Sequence, residues 1–222
     1  MTHTVCTFLL FCVLGGLAPS LIHAASEQDI PMNRSSAAVC VRSTVTTALS
    51  YLKQTDRRTR QQLFERLIHT FFDIKNMGDY IIGRHAENLG VDRRSSYEKT
   101  MTAYTAFLYL SKFDSYGKNL TLSNFTFGRA YPLRADKPQG LWVVKTTLLP
   151  EGYAAPVTLD WYLHPQNGTF RIIDVYIAGI SFVQTKREEF KTLLREGGLE
   201  AFLQKIQMTV SQVYRDCGGG NS

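Results

Sequence analysis

The chain has 222 residues, 44% of them hydrophobic and 12% aromatic, with 25 Lys and Arg against 19 Asp and Glu for a net charge of +6. That length suits one domain burying about 70% of its unfolded surface. The basic balance favours an anionic membrane surface or an acidic partner, while the absence of any nucleic-acid-binding motif argues against nucleic acid.

The N-terminal stretch from Val5 to Ala18, VCTFLLFCVLGGLA, is an apolar core followed by Pro19, Ser20 and Ala24 as a small-residue cleavage region. It reads as a secretory signal over residues 1–24, although Met1 to Thr4 carry no basic residue. Uncleaved, Val5 to Ile22 would just reach across thin hydrocarbon, so a retained anchor is the alternative. Cys12 lacks the small preceding residue that lipidation requires. Cleavage after Ala24 would remove no Lys, Arg, Asp or Glu and would leave two cysteines, Cys40 and Cys217. In an oxidising compartment these are a candidate disulfide, the alternative being two independent thiols.

Residues 25–35 are polar and are expected to be flexible. Val41, Val45, Ala48, Leu49 and Leu52 fall at helical spacing, and a second helix is expected after Asp56 with Leu63, Phe64, Leu67, Ile68 and Phe71. Met77 to Arg84 reads as a third, short helix. A fourth spans Ser95 or Ser96 to Lys112, with Tyr97, Met101, Tyr104 and Leu108 on one stripe. Arg57-Arg58, Arg60 and Arg93-Arg94 sit at helix starts and read as solvated faces.

From Leu120 the period changes. Four strands are expected, over 120–130, 140–149, 155–164 and 169–180, and Asn167-Gly168 can supply the positive φ that joins the last two as a hairpin. Thr185 and Glu188 form a T-x-x-E capping box, Gly197-Gly198 ends that helix, and a last one carries Leu199, Phe202, Leu203, Ile206, Val210 and Val213. Helices, then antiparallel strands, then helices is an α+β order: one curved antiparallel four-stranded sheet against helices, in a single domain over 36–215 with a flexible tail at 216–222.

Two segments carry a family pattern. Asp174 to Phe190 reads D-V-x-x-x-G-I-S-x-V-Q-T-x-R-x-x-F, and Met77 to His85 reads MGDYIIGRH. Both resemble the MlaC or toluene-tolerance family of periplasmic phospholipid-binding proteins, including its hopanoid-associated members. The family often has Trp where Phe170 stands, an aromatic where Ala86 stands and Tyr where Lys186 stands. The resemblance implies an NTF2-like sheet whose concave side holds a cavity for acyl chains, and a periplasmic lipid carrier that catalyses nothing and needs no cofactor. The implied partners are a phospholipid or related amphiphile, an outer-membrane lipoprotein-porin complex and an inner-membrane MCE-domain ABC transporter. Hopanoid transport is the alternative within the family.

Read alone, the aromatic inventory suits an ordinary core. With the resemblance, it becomes a candidate lipid lining: Met77, Tyr80, Ile81, Tyr97, Met101, Tyr104 and Leu108 from helices. The sheet region adds Trp142, Val144, Leu159, Trp161, Val175 and Phe182. Leu108 and Trp161 are expected to face each other across the cavity. Arg84 is the head-group candidate, where it could meet a phosphate or instead pair with Asp79. His69, His85 and His164 form no metal motif, so no metal is expected; His85 reads as packed and His164 as solvated. Asp174 would be the base of an alternative, NTF2-like enzyme, against a structural carboxylate partnering an Arg; Asp160 would face water if Trp161 faces the cavity. N-x-S/T sites at Asn33, Asn119, Asn124 and Asn167 raise a secreted glycoprotein as a further alternative, but Asn124 falls in an expected strand and Asn167 in a tight turn.

Overall fold

Short polar side chains start the helices where the chain must turn sharply. In the computed structural model, which describes residues 34–115, 119–136 and 140–218, the first four helices are α1 (Arg34–Leu52), α2 (Arg57–Phe71), α3 (Ile74–Ile82) and α4 (Val91–Ser115). Side chains are described for 36–114, 119–136 and 140–215, so the signal segment, Asn33 and the side chain of Cys217 lie outside these residues. Asp56 caps α2 by accepting from Thr59 N, and Asp73 caps α3 by accepting from Asn76 N. Gly83, at φ 57, ends α3 in a conformation that side-chain-bearing residues rarely adopt, and a 3-10 turn over Gly83–Asn88 leads to α4.

The strands β1 (Phe125–Pro132), β2 (Trp142–Leu148), β3 (Val157–Gln166), β4 (Thr169–Ile177) and β5 (Ile180–Ser181) form one antiparallel sheet in chain order. Asn167 and Gly168, at φ 49 and 73, make the expected hairpin. The next turn was read as uninterrupted strand. Ala178 and Gly179, at φ 50 and 82, reverse the chain there and add a short fifth strand. The register slips between Tyr162 and Leu163, leaving Ile173 without a partner, and again between Phe127 and Ala130. Such bulges bend and twist strands, which curves this sheet around the helices.

Three boundaries differ from expectation. Residues 122–124 form a 3-10 turn instead of starting β1, because Asn124 accepts from Thr121 N and donates to the Leu149 carbonyl. The final helix, α5 (Phe182–Gly218), begins before the Thr185–Glu188 box. Its cap is Ser181, whose hydroxyl accepts from Gln184 N at 3.0 Å, supported by Asp174, whose Oδ1 accepts from Val183 N at 3.2 Å. Gly198, at φ 66, breaks α5 into two helical halves as expected, but the second half continues three residues past 215.

The core lies between one sheet face and the helices. Its α1 contribution is Ala37, Val41, Val45 and Ala48, spaced four, four and three apart. Arg60 departs from the solvated reading: it is buried, donates to the Gln54 carbonyl and pairs with Asp114 at 3.7 Å across α2 and α4.

Candidate functional site

Strand alternation sends Leu159, Trp161 and Leu163 of β3 to the helix-covered face, and antiparallel pairing sets Val144 and Val175 on either side of Trp161. All five are buried. The Trp161 indole donates to Thr146 Oγ1 at 2.9 Å, so its one polar atom is satisfied within the sheet. The partners it meets are not those expected. A gap of about 20 Å³ beside Trp161 is lined by Tyr109 and Phe113 of α4 with Phe64, Leu67 and Ile68 of α2, and Leu108 is not among them.

Helix α4 explains the difference. It lies between α2 and α5, and therefore buries two stripes instead of one. Tyr97, Met101 and Tyr104 turn towards α5, where the Tyr97 and Phe202 rings are 6.4 Å apart and those of Tyr104 and Phe190 6.0 Å. Ala106, Tyr109 and Phe113 belong to the other stripe. Tyr109 stacks on Phe182 at 4.8 Å and lies 5.3 Å from Phe72. Of the thirteen expected lining residues, Met77, Ile81, Tyr97, Met101, Tyr104, Trp142, Val144, Leu159, Trp161 and Val175 are buried in this one cluster, with Leu108 and Phe182 half-buried against it. Tyr80 stands apart, 45% exposed. The buried members of the cluster leave a gap of about 20 Å³ beside Trp161.

Two polar features sit inside it. The hydroxyls of Tyr97 and Tyr109 are buried with no hydrogen-bond partner among the described residues, and burial pushes both phenols well above their ordinary range. Tyr97 also explains Gly78, because a Cβ there would lie 2.6 Å from the Tyr97 hydroxyl.

A family model described as "MlaC protein" matches residues 42–208, which is three quarters of the chain. The chain belongs to the MlaC family. A solved structure of a phospholipid-binding protein from Ralstonia solanacearum, in complex with a phospholipid, shares the fold at a TM-score of 0.63. The two are 20% identical over 81% of this chain and 99% of that one. The MlaC-family fold is thus the expected α+β arrangement, an NTF2-like curved antiparallel sheet against helices, with five strands in place of four.

In this MlaC-family chain Asp174 is a structural carboxylate, but no Arg among the described residues partners it. Its Oδ1 accepts from Val175 N within β4 and from Val183 N in the first turn of α5, and its Oδ2 accepts from the hydroxyl of Ser181, the α5 cap. Burial nevertheless holds its carboxyl above the usual range, outweighing those hydrogen bonds. Asp160 faces the opposite side from Trp161 and lies 3.7 Å from Lys145. His164 is half-buried rather than solvated, with Nε2 2.7 Å from Asp73 Oδ2. Cys40 carries a free thiol that donates to the Phe170 carbonyl, and burial raises it to about 11.

Two concavities outside the cluster were missed by sequence reasoning. One is a groove of about 910 Å³ on the other side of β3 and β4, where the Tyr162 and Tyr176 rings lie 4.6 Å apart beside Tyr80, Asn76 and Gln184. The signal was present as aromatics at the polar positions of both strands. The other is a cleft of about 520 Å³ between the end of α3 and the first half of α5, which contains Arg84. Asp79 does not pair with Arg84; it pairs with Arg94 at 2.8 Å and Lys75 at 3.0 Å.

Proposed function

We propose that this MlaC-family protein is an exported, periplasmic carrier that holds a phospholipid by its acyl chains and shuttles it between an outer-membrane lipoprotein-porin complex and an inner-membrane MCE-domain ABC transporter. The observation that carries this reading is the convergence of ten predicted lining residues on one apolar cluster beneath the sheet, in the fold of a protein solved with a phospholipid bound. No helix of the described residues is long and apolar enough to cross a membrane.

The energetics set what the cluster must do. Each methylene withdrawn from a bilayer into water costs about 0.8 kcal/mol, so two long chains need a compensating apolar surface of the same order. A gap of about 20 Å³ cannot provide it, since ligand cavities start at roughly 300 Å³. Binding therefore separates the sheet face from α2 and α4, and the chains replace contacts among Trp161, Tyr109, Phe113 and Phe182. Leu159 and Val175 flank the same opening, while Met77, Tyr97 and Met101 on the α5 side keep the helices together.

Native mass spectrometry of the exported protein followed by organic extraction tests the reading. A co-purifying glycerophospholipid is expected. A triterpenoid would favour hopanoid transport, and protein that carries nothing and takes up no lipid from vesicles would contradict both.

A further inference from the structure

The cleft between α3 and α5 is built from segments a hundred residues apart in the chain. Ile81, Ile82 and Leu194 form an apolar floor, and Arg84, Arg187, Lys191 and Arg195 form the walls, with His85 beside them. Glu188 is the one carboxylate in the lining. Lys191 reaches it at 3.2 Å, and Arg195 reaches Glu196 at 2.9 Å, but both pairs are exposed and labile.

The remaining two guanidiniums differ in kind. Arg187 is fixed: it donates to the Tyr80 carbonyl and lies 5.0 Å from the centre of the Tyr80 ring. Gly83 makes room for it, since a Cβ there would come within 3.1 Å of Arg187 Nη2. Arg84, on the opposite wall, is exposed and makes no ion pair with any described residue. One cation is thus held in place and another left without a counter-charge, over an apolar floor, in a space larger than a single phosphate needs. Guanidinium walls match the oxygens of a phosphodiester, and the floor matches the glycerol and first methylenes below it.

We propose that this cleft is a membrane-docking site that takes the phosphodiester head groups of an anionic bilayer surface. It acts at the moment of delivery or collection and is separate from the apolar cluster that holds the acyl chains in the carrier reading. Docking is electrostatic, so it strengthens with anionic lipid and weakens with salt.

Vesicle flotation tests it, using phosphatidylcholine alone or mixed with phosphatidylglycerol. The wild-type protein is expected to float only with the mixed vesicles and to be released by added salt. Arg84→Glu/Lys191→Glu should lower that binding about thirtyfold or more, at roughly fivefold for each cation lost near the surface. The same charge change at exposed positions elsewhere, Arg57→Glu/Arg58→Glu, should alter binding by less than about threefold. Equal losses from the two pairs would overturn the site in favour of diffuse charge. If the charge-reversed cleft protein melts early, Arg84→Gln/Lys191→Gln keeps the test open, with the same ranking required. Lys191→Glu/Arg195→Glu is expected to retain the extractable lipid of the wild type; loss of that lipid would assign the cleft to cargo and overturn a separate docking role. Wild-type protein that binds inorganic phosphate in the cleft yet ignores mixed vesicles would also overturn it.

Discussion

The apolar cluster and the cationic cleft use the same two helices with opposite chemistry. On α5, Val183, Phe190 and Leu194 turn inward, while Arg187, Lys191 and Arg195 recur every four residues on a neighbouring face. On α3, Met77, Ile81 and Ile82 are buried, and the chain emerges at Gly83 to expose Arg84. The cluster is held by apolar packing, so a buried charge or a large change of volume in it costs stability. The cleft is anchored on one side by Arg187, and its other cations are exposed. The proposed carrier and docking roles therefore rest on surfaces that can be altered separately.

Charge placed in each region gives the largest contrast. Val144 is fully buried between Ala130 and Trp161, so Val144→Asp buries an unpaired carboxylate and should cost several kcal/mol, enough to unfold a domain of ordinary stability. Lys191→Glu in the cleft should shift stability by no more than about 0.5 kcal/mol. Urea unfolding followed by circular dichroism separates the two, and similar losses would dissolve the distinction.

A smaller effect sharpens the cluster itself. Gly78→Ala pushes a methyl against the Tyr97 hydroxyl and should cost about 1–3 kcal/mol by overpacking. Tyr97→Phe removes a hydroxyl that has no partner among the described residues, so it should be close to neutral alone and should restore most of the loss in the double variant. A double variant no more stable than Gly78→Ala would place the strain elsewhere.

Asp73 joins the helical layer to the β3–β4 hairpin, and its effect depends on pH. Burial alone would raise its carboxyl, but hydrogen bonds from Asn76 N, Asn76 Nδ2 and His164 outweigh that and hold it below the usual carboxylate range. A depressed carboxylate contributes stability above its unfolded value, about pH 3.9, and the contribution fades as pH falls through the folded value below it. Asp73→Asn should thus cost about 1 kcal/mol near pH 7 and less in acid, as read from thermal midpoints across a pH series. The smallest effect is kinetic. With its thiol raised to about 11, Cys40 is about one-thousandth thiolate at pH 8, so alkylation should be slow in the native protein and fast in urea.

Much of the fold was legible because its signals were local. The Asn167-Gly168 turn, the Asp56 cap and the Gly198 break each require a particular backbone conformation, and the residues present satisfy it. The fifth strand was not legible, because its turn places Ala178 at positive φ, a conformation seldom taken by alanine. The α5 start was misplaced because Thr185 and Glu188 also match a capping pattern, whereas the cap used is Ser181, whose hydroxyl accepts from Gln184 N and is held by Asp174 across the intervening turn. For the site, the inward face of β3 followed from alternation, whereas the partner of Trp161 did not. A single stripe through Leu108 describes a helix with one buried face, and α4 has two. The cleft was half visible: the Arg187-Lys191-Arg195 spacing lay in the sequence, but its meeting with Arg84 depends on the packing of α3 against α5.

The central claim is that acyl chains lie between Trp161 and the helices. Trp142 and Trp161 are the only tryptophans in the chain, so Trp142→Phe leaves Trp161 as the sole reporter. Loading that variant with phospholipid brominated on its acyl chains should quench Trp161 emission strongly, while lipid brominated in the head group, bound at the same ratio, should not. Stoichiometric binding of the chain-brominated lipid with Trp161 emission unchanged would contradict the account.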